Sequence, residues 1–550
     1  MKTQIKNIFL ALTLAVTASS CSESFLDRVP NDALSPTTFW QTESDALLAL
    51  TGCYRQLYSP YRPEEMWFWD TTSDNAFCYH NNKDWRSIGN GSMAPSGVSV
   101  HSYFGYDEFR AFNEFLKMEP NITYTHPELS QQYRDEVRLM RCMQLFFRVM
   151  AYGDFPFTEE VYENPEDAYI PRTPKDKLLA FIKTELNEIV KNNALPTNVE
   201  AGRISIDAAR AFLTRFDLIT GDYNECVTIA KQVISGKNYK MPNLTYEESF
   251  LRSNEYNSEV IMSFEHNKAG GFGMWIAEFM PNSYGGWSSV VPTHSLLDEY
   301  ETANGLTIDE DPTYNPENPF YNRDPRLRAT IVYPGQTWDI YGDPDKFPNG
   351  FPSIVKGSGE YWADADNAPH TGMSFKKFYA DPEEFSSTGG IWGCDRNFPM
   401  LRYAEVLLSY AEAMIELNKI DDSVYDAINE VRRRAEMPDV DRTKYATQES
   451  LRKLVRRERR VEFAYEGLRR YDLLRWGIIA EKMGGQLITS TEGEILDTMN
   501  DEGDYNVKLA PRSTWSKIEE RNFTVGRNEL LPVPQSIIDV NPNISQNPGY

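Results

Sequence analysis

Two stretches of the chain carry helical periodicity almost without a break, and each reads as a helix, a short turn and a second helix. In residues 205–236, Ser205 stands where an N-cap is wanted, and Ala208, Phe212, Phe216 and Ile219 fall on one face. Gly221 and Asp222 supply the turn, and Tyr223, Cys226, Val227, Ala230, Val233 and Ile234 keep helical spacing on the way back. Residues 402–435 repeat the design. Ala404, Leu407, Leu408, Ala411, Met414 and Ile415 form one stripe, and Val424, Ala427, Ile428, Val431 and Ala435 form its partner across a turn at Asp421 and Asp422. Paired stripes of this kind read as an α-helical scaffold, so the fold class is mainly all-α.

Hairpins of about 34 residues with alanines where helices must approach resemble tetratricopeptide units, and Leu218-x-x-Gly221-x-Tyr223 keeps a trace of that repeat; a generic helical hairpin is the plainer alternative. Further helices are expected near 43–58, from Ala46, Leu50, Cys53 and Leu57, and over 131–152, ending at Gly153. The scaffold then comprises about 43–236 and 399–476, followed by an extended segment, 477–550. Between its halves, residues 237–398 lack sustained periodicity and are rich in Gly, Pro, Asn and rings, as in AGGFGMWIAEFMPNSYGGW. Loops that long are usually functional. A smaller ring-rich stretch, MWFWDTTSDNAFCYHNNKDW, occupies 66–85. With 31 Tyr, 29 Phe and 11 Trp in a chain whose mean hydropathy is −0.53, some rings are expected to face solvent or ligand.

The start of the chain is of a different kind. Lys2 and Lys6 precede an apolar run, Ile8 to Ala18, and then the small triplet Ala18, Ser19, Ser20 before Cys21. A run this short is a secretion signal, since a membrane span needs roughly 20 apolar residues. Small residues directly before a cysteine resemble the lipobox of bacterial lipoproteins, although Ala18 stands where leucine is usual. In that pattern residues 1–20 are removed, Cys21 becomes the lipid-bearing first residue, and the polar stretch 21–31 is a tether. Acyl chains hold it to a membrane at about 0.8 kcal/mol per buried CH₂.

Chemistry is harder to find. Five other cysteines are widely spaced without a C-x-x-C, so neither a disulfide framework nor a zinc site is indicated. A net charge of −25 argues against nucleic acid. The P-loop, complete G-x-G-x-x-G, G-x-S-x-G and H-E-x-x-H patterns are absent. Asp309, Glu310 and Asp311 lack the spacing of a calcium loop and read as a solvated turn. In RRERRVEFAYEGLRRYDLLRW, residues 456–476, Glu458 falls within the stripe Leu451, Leu454, Val461, Tyr465, Leu468. A carboxylate there is partly buried and needs pairing, with Arg459, Arg460, Arg469 and Arg470 at hand. That favours an ion-pair network locking helices over a catalytic pair of Glu458 and Glu462.

Taken together, the lipobox, EVRLMRCMQLFFRVMAYGDFPF at 136–157, GRISIDAARAFLTRFDLITGDY at 202–223, RDPRL at 323–327, RYAEVLLSYAEAM, INEVRRRA, RERRVEFAYEGLRRYDLLRW and LLPVPQSIIDVNPNISQNPGY resemble the SusD/RagB family of nutrient-binding outer-membrane lipoproteins. The resemblance runs over 32–550 as one domain. It implies tetratricopeptide-like hairpins supporting long irregular loops, anchorage on the cell surface, no catalysis and no cofactor or metal. It also implies a partner, a SusC-like TonB-dependent barrel transporter to which a captured oligosaccharide is delivered. A peptide-binding lid of the same family is the alternative, and a surface glycoside hydrolase the more distant one. Pyranose C–H faces pack on flat rings, so the glycan platform is sought among loop aromatics: Trp67, Trp69 and Trp85 in the first loop, and Trp275, Tyr284 and Trp287 in the second. Trp362 and Trp392 are candidates from a third loop, and Asn82, Asp84 and Arg86 are candidate hydroxyl partners.

Overall fold

The computed structural model describes residues 39–57, 63–81, 84–97, 103–267, 269–270, 273, 276–338, 346–378 and 395–550. Cys21, Asn82, Trp275 and Trp392 lie outside them. The main helices are α1 (Glu43–Gln56), α2 (Asp107–Met118), α3 (Glu128–Tyr152), α4 (Lys175–Asn192), α5 (Ile206–Thr220), α6 (Tyr223–Gly236), α7 (Tyr403–Glu416), α8 (Asp422–Arg434), α9 (Gln448–Glu462) and α10 (Arg469–Arg475).

Their ends follow from local chemistry. Thr42 and Asp45 form a reciprocal capping box at the start of α1, whose buried face is Ala46, Leu50 and Cys53. The Ser205 side chain accepts from Ala208 N to open α5, and Gly221 at φ +84° closes it in the left-handed region that glycine enters without strain. One residue on, Asp222 caps α6 by accepting from Glu225 N. Asp421 does the same for α8, accepting from Ser423 N. The two hairpins pack on each other through α6 and α7, and α7 also packs against α9. Among the described residues no helix is long and apolar enough to cross a membrane.

Strands are short and pair only in twos among the described residues, all antiparallel. They are β1 (Ala76–Cys78), β2 (Val260–Phe264), β3 (Val290–Pro292), β4 (Ile331–Val332), β5 (Ser374–Phe375), β6 (Phe398–Arg402), β7 (Leu487–Thr489), β8 (Gly493–Met499), β9 (Tyr505–Leu509) and β10 (Lys517–Glu520). β2 with β6 ties the loop-rich middle of the chain to the start of α7. β1 with β3 pairs Phe77 with Val291 and Cys78 with Val290, joining the two ring-rich loops.

The helix carrying Glu458 ends earlier than its stripe suggests. α9 stops at Glu462, and Tyr465 at φ +69° and Gly467 at φ +75° turn the chain before α10. Tyr465 and Leu468 therefore leave the helical face. The Tyr465 amide instead donates to Asp70 Oδ2 at 2.6 Å, and its ring stacks on Trp67 at 5.1 Å and on Phe375 at 4.0 Å.

Glu458 is buried and ion-paired, but its partners are Arg326 at 2.5 Å and Arg432 at 2.8 Å rather than the neighbouring arginines. Burial opposes its charge, and these two guanidiniums nevertheless hold its carboxyl below the usual range. Glu462 meets Arg434, Arg402 and Arg326, and Glu466 meets Arg402 and Lys377. The arginines of the 456–476 run are spent elsewhere. Arg459 faces Asp472 at 3.1 Å, Arg460 and Arg469 converge on Asp74, and Arg470 donates to the carbonyls of Thr72, Asn528 and Glu529.

Candidate ligand-binding site

Asp70 to Asn75 is a polar stretch with every residue buried. Irregular backbone survives inside a protein only if its carbonyls and carboxylates find donors, and arginine offers five. Arg521 donates to the carbonyls of Ser73, Ala76 and Thr71, Arg470 to that of Thr72, and Arg460 to the Asn75 side chain. Burial opposes ionisation of Asp74, yet Arg460 and Arg469 keep it well below the ordinary carboxylate range. This clamp delivers the chain into β1, and beyond Cys78 the chain reaches the surface at Tyr79 and His80, both half-buried.

There three loops meet. The Tyr79 amide donates to Ser289 O at 2.9 Å, and His80 Nδ1 lies 2.9 Å from the Ser289 hydroxyl. The loop bearing Ser289 is drawn tight, with Trp287 N bonded to Ala277 O and Ser289 N to Glu278 O, both at 2.7 Å. Gly286 is required in that loop because a Cβ would come within 2.1 Å of Met280 O. Asn282 Nδ2 then reaches Gly359 O at 3.0 Å, and Ser283 N reaches Glu360 Oε1 at 2.6 Å, which fastens the third loop.

The third loop contributes Tyr361, Trp362, Asp366 and His370. Trp362 Nε1 donates to Glu492 Oε1 at 3.2 Å, and the Tyr361 hydroxyl reaches the same carboxylate at 3.2 Å. His370 stacks on Tyr79 with centroids 3.2 Å apart, and the Arg86 guanidinium carbon lies 5.2 Å from the Tyr79 centroid. Arg86 donates to Tyr79 O at 2.9 Å and to Glu519 Oε2 at 2.7 Å, and Asn90 Nδ2 reaches the same oxygen at 3.3 Å. Burial pushes His370 down to about 4 and lowers His80 as well, so it disfavours positive charge on either ring. The three loops thus carry a rim of half-buried indoles, Trp287 and Trp362, with the half-buried His80 and Asn90 and the exposed Asp366, while Ser289 and His370 are buried.

Several residues expected at the surface are not there. Trp67, Trp69 and Trp85 are 0%, 1% and 0% exposed and cannot offer a face to a ligand in this conformation. The run PEEMWFWD is a short helix, Pro63–Asp70, with rings on every side, and such a helix packs in the core. Trp67 meets Phe279 and Tyr465, Trp69 meets Phe147, and Trp85 stacks on Phe68 at 5.4 Å. Tyr284 is also buried, edge-on to Trp338 and Phe347. Trp287, Trp362 and Arg86 lie on these three loops and are half-buried, and Asp84 is half-buried one residue before Trp85.

Tyr79, His80, Ser289, Asp366, His370, Glu492 and Glu519 were not singled out by sequence. Tyr79 and His80 close the first ring-rich stretch where it turns to asparagines, a signal that was present. Glu492 and Glu519 carry none. At the acidic turn, Asp311 accepts from Thr302, Asn304 and Thr313, and Glu310 pairs with Lys444 at 2.7 Å, so these oxygens are taken up by the fold. Among the described residues no cluster of three or more His, Cys, Asp or Glu is arranged to hold a metal ion.

A model of the SusD family matches residues 251–550. A SusD-like protein of Formosa agariphila is 24% identical over 515 residues, spanning 88% of this chain and 93% of the relative. The starch-binding protein SusD of Bacteroides thetaiotaomicron is 24% identical, with 100% of each chain covered. A solved structure of a SusD-like carbohydrate binding protein from Bacteroides fragilis superposes with a TM-score of 0.78 at 28% identity, covering 92% of this chain and 100% of the other.

Proposed function

This chain belongs to the SusD family, and from that premise we propose that it is a cell-surface binding lipoprotein that captures an oligosaccharide at the three-loop rim and passes it to a SusC-like TonB-dependent transporter in the outer membrane. The observation that carries the reading is the convergence of the loops around 79–90, 276–289 and 359–370. It puts the half-buried indoles Trp287 and Trp362 on the same three loops as the half-buried His80 and Asn90 and the exposed Asp366. A sugar ring needs both kinds of surface, a flat apolar face for its C–H side and short polar groups for its hydroxyls. Similarity to a carbohydrate binding protein and to a starch-binding one supports the same class of ligand.

The role is binding rather than turnover. With each ring adding about 0.5–1.5 kcal/mol beyond its buried area, an open site of two rings binds roughly at micromolar to millimolar Kd. Calorimetry of the protein against oligosaccharides and peptides tests the ligand class. A glycan bound without being cleaved supports the reading, peptide binding alone replaces it with a peptide lid, and cleavage products replace it with a hydrolase. Anchorage is tested separately. Cys21→Ala is expected to release the protein from outer-membrane fractions, and retention through a high-salt wash would contradict the anchor.

A further inference from the structure

Two consecutive residues of the C-terminal segment, Thr491 and Glu492, close the third loop at both ends. Thr491 donates to Thr371 O from its backbone N at 3.1 Å and from its hydroxyl at 2.8 Å. Gly372, at φ +75°, lets the two strands of chain approach, because a Cβ there would come within 2.8 Å of the Thr491 Cβ. At the other end the Glu492 carboxylate accepts from Trp362 Nε1 at 3.2 Å and from the Tyr361 hydroxyl at 3.2 Å. Glu492 is itself anchored: its carbonyl accepts from Ala510 N at 2.9 Å, and the Ser516 hydroxyl donates to its Oε1 at 3.1 Å.

The two ends are held differently. Thr371 is buried and held through its backbone, whereas at the other end a side chain is held, the indole of the half-buried Trp362. An indole can donate only through Nε1, and here that donor points at a carboxylate of the fold. What it offers a ligand is its ring face, on which a pyranose packs its C–H side. A surface indole without such a tether samples several rotamers and gives up that freedom when a sugar lands on it, which weakens binding by about threefold or more. An indole already fixed escapes that loss.

Resting on the reading of glycan capture above, we propose that Glu492 is a positioning residue of the site, one that fixes the Trp362 indole so that it meets a sugar with its face rather than with its N–H. Glu492 acts through the ring and need not touch the ligand.

The test compares Glu492→Met, which keeps the length of the side chain but has no oxygen acceptor, with Glu492→Gln, which keeps one. Both remove the same charge, so the difference between them reads the acceptor and not the electrostatics of the rim. The probe is whichever of maltohexaose, laminarihexaose, xylohexaose, mannohexaose and hexagalacturonate binds the full-length protein most tightly in calorimetry, with melting temperatures measured alongside. Glu492→Met is expected to weaken binding by at least about threefold and Glu492→Gln by less than about twofold. In a Trp362→Ala background the two variants should bind alike, since the ring through which Glu492 acts is gone. Wild-type affinity in Glu492→Met, or equal losses in the Met and Gln variants, would overturn the proposal. So would a loss that persists undiminished in the Trp362→Ala background. If none of the five oligosaccharides binds the wild-type protein, glycan capture itself falls, and the positioning role with it.

Discussion

The rings of the Pro63–Asp70 helix and those of the loops at 287 and 362 have the same chemistry and opposite surroundings. Trp67 is enclosed by Phe279, Phe378 and Tyr465, whereas Trp287 and Trp362 stand half-open above loops that are themselves pinned by backbone and carboxylate hydrogen bonds. The charges divide the same way. Glu458 and Glu462 are sealed within arginines, while Asp366 is exposed and Glu519 shares its Arg86 partner with the rim. Rings and charges that complete each other build the scaffold. Those left part-exposed at the loops are what a ligand can use.

That contrast breaks most visibly if a sealed ring is removed. Trp67→Ala should destabilise the protein by about 3–5 kcal/mol, read by chemical denaturation, with ligand affinity per folded molecule unchanged. A stable Trp67→Ala protein that had lost its ligand would put the platform in the first loop after all. Slightly smaller is the effect of opening the sealed charges. Glu458→Gln leaves Arg326 and Arg432 facing a neutral amide and should cost about 3 kcal/mol, again without loss of binding. Loss of affinity with full stability would instead mark Glu458 as part of a site.

The joint between the second and third loops carries a pH dependence. Glu360 is buried under the joint of the second and third loops, and burial pushes its carboxyl up to about 7. Its folded pKa therefore lies above the unfolded value of 4.5, so the folded state prefers the neutral acid. The stability this gives is fully present below pH 4.5 and is lost as the pH rises to about 7, a change of roughly 3 kcal/mol from this group. Glu360→Gln should remove that part of the slope when melting is followed from pH 4.5 to 8. An identical slope in the variant would mean that Glu360 ionises as an ordinary exposed acid does.

Much of the scaffold was legible because its signals are local. Ser205, Gly221, Asp222 and Asp421 cap and turn where the apolar stripes begin and end, and a stripe needs no distant partner to declare itself. Burial of Glu458 was legible for the same reason, but its partner Arg326 lies 132 residues away, so the pairing was not. The first-loop tryptophans misled because a short helix with rings on all sides looks in sequence like a ring-rich loop. The rim was only partly visible. Trp287, Trp362 and Arg86 stand in recognisable loops, while His370, Glu492 and Glu519 join them only through tertiary contacts that no local spacing encodes.

The claim that the open rings bind the glycan is tested most directly by calorimetric titration of one bound oligosaccharide into wild type and into a Trp287→Ala, Trp362→Ala double variant, with melting temperatures measured alongside. Loss of the two half-exposed indoles should weaken the Kd at least about tenfold, equivalent to about 1.4 kcal/mol, while melting shifts little. An unchanged Kd in a folded double variant would contradict it.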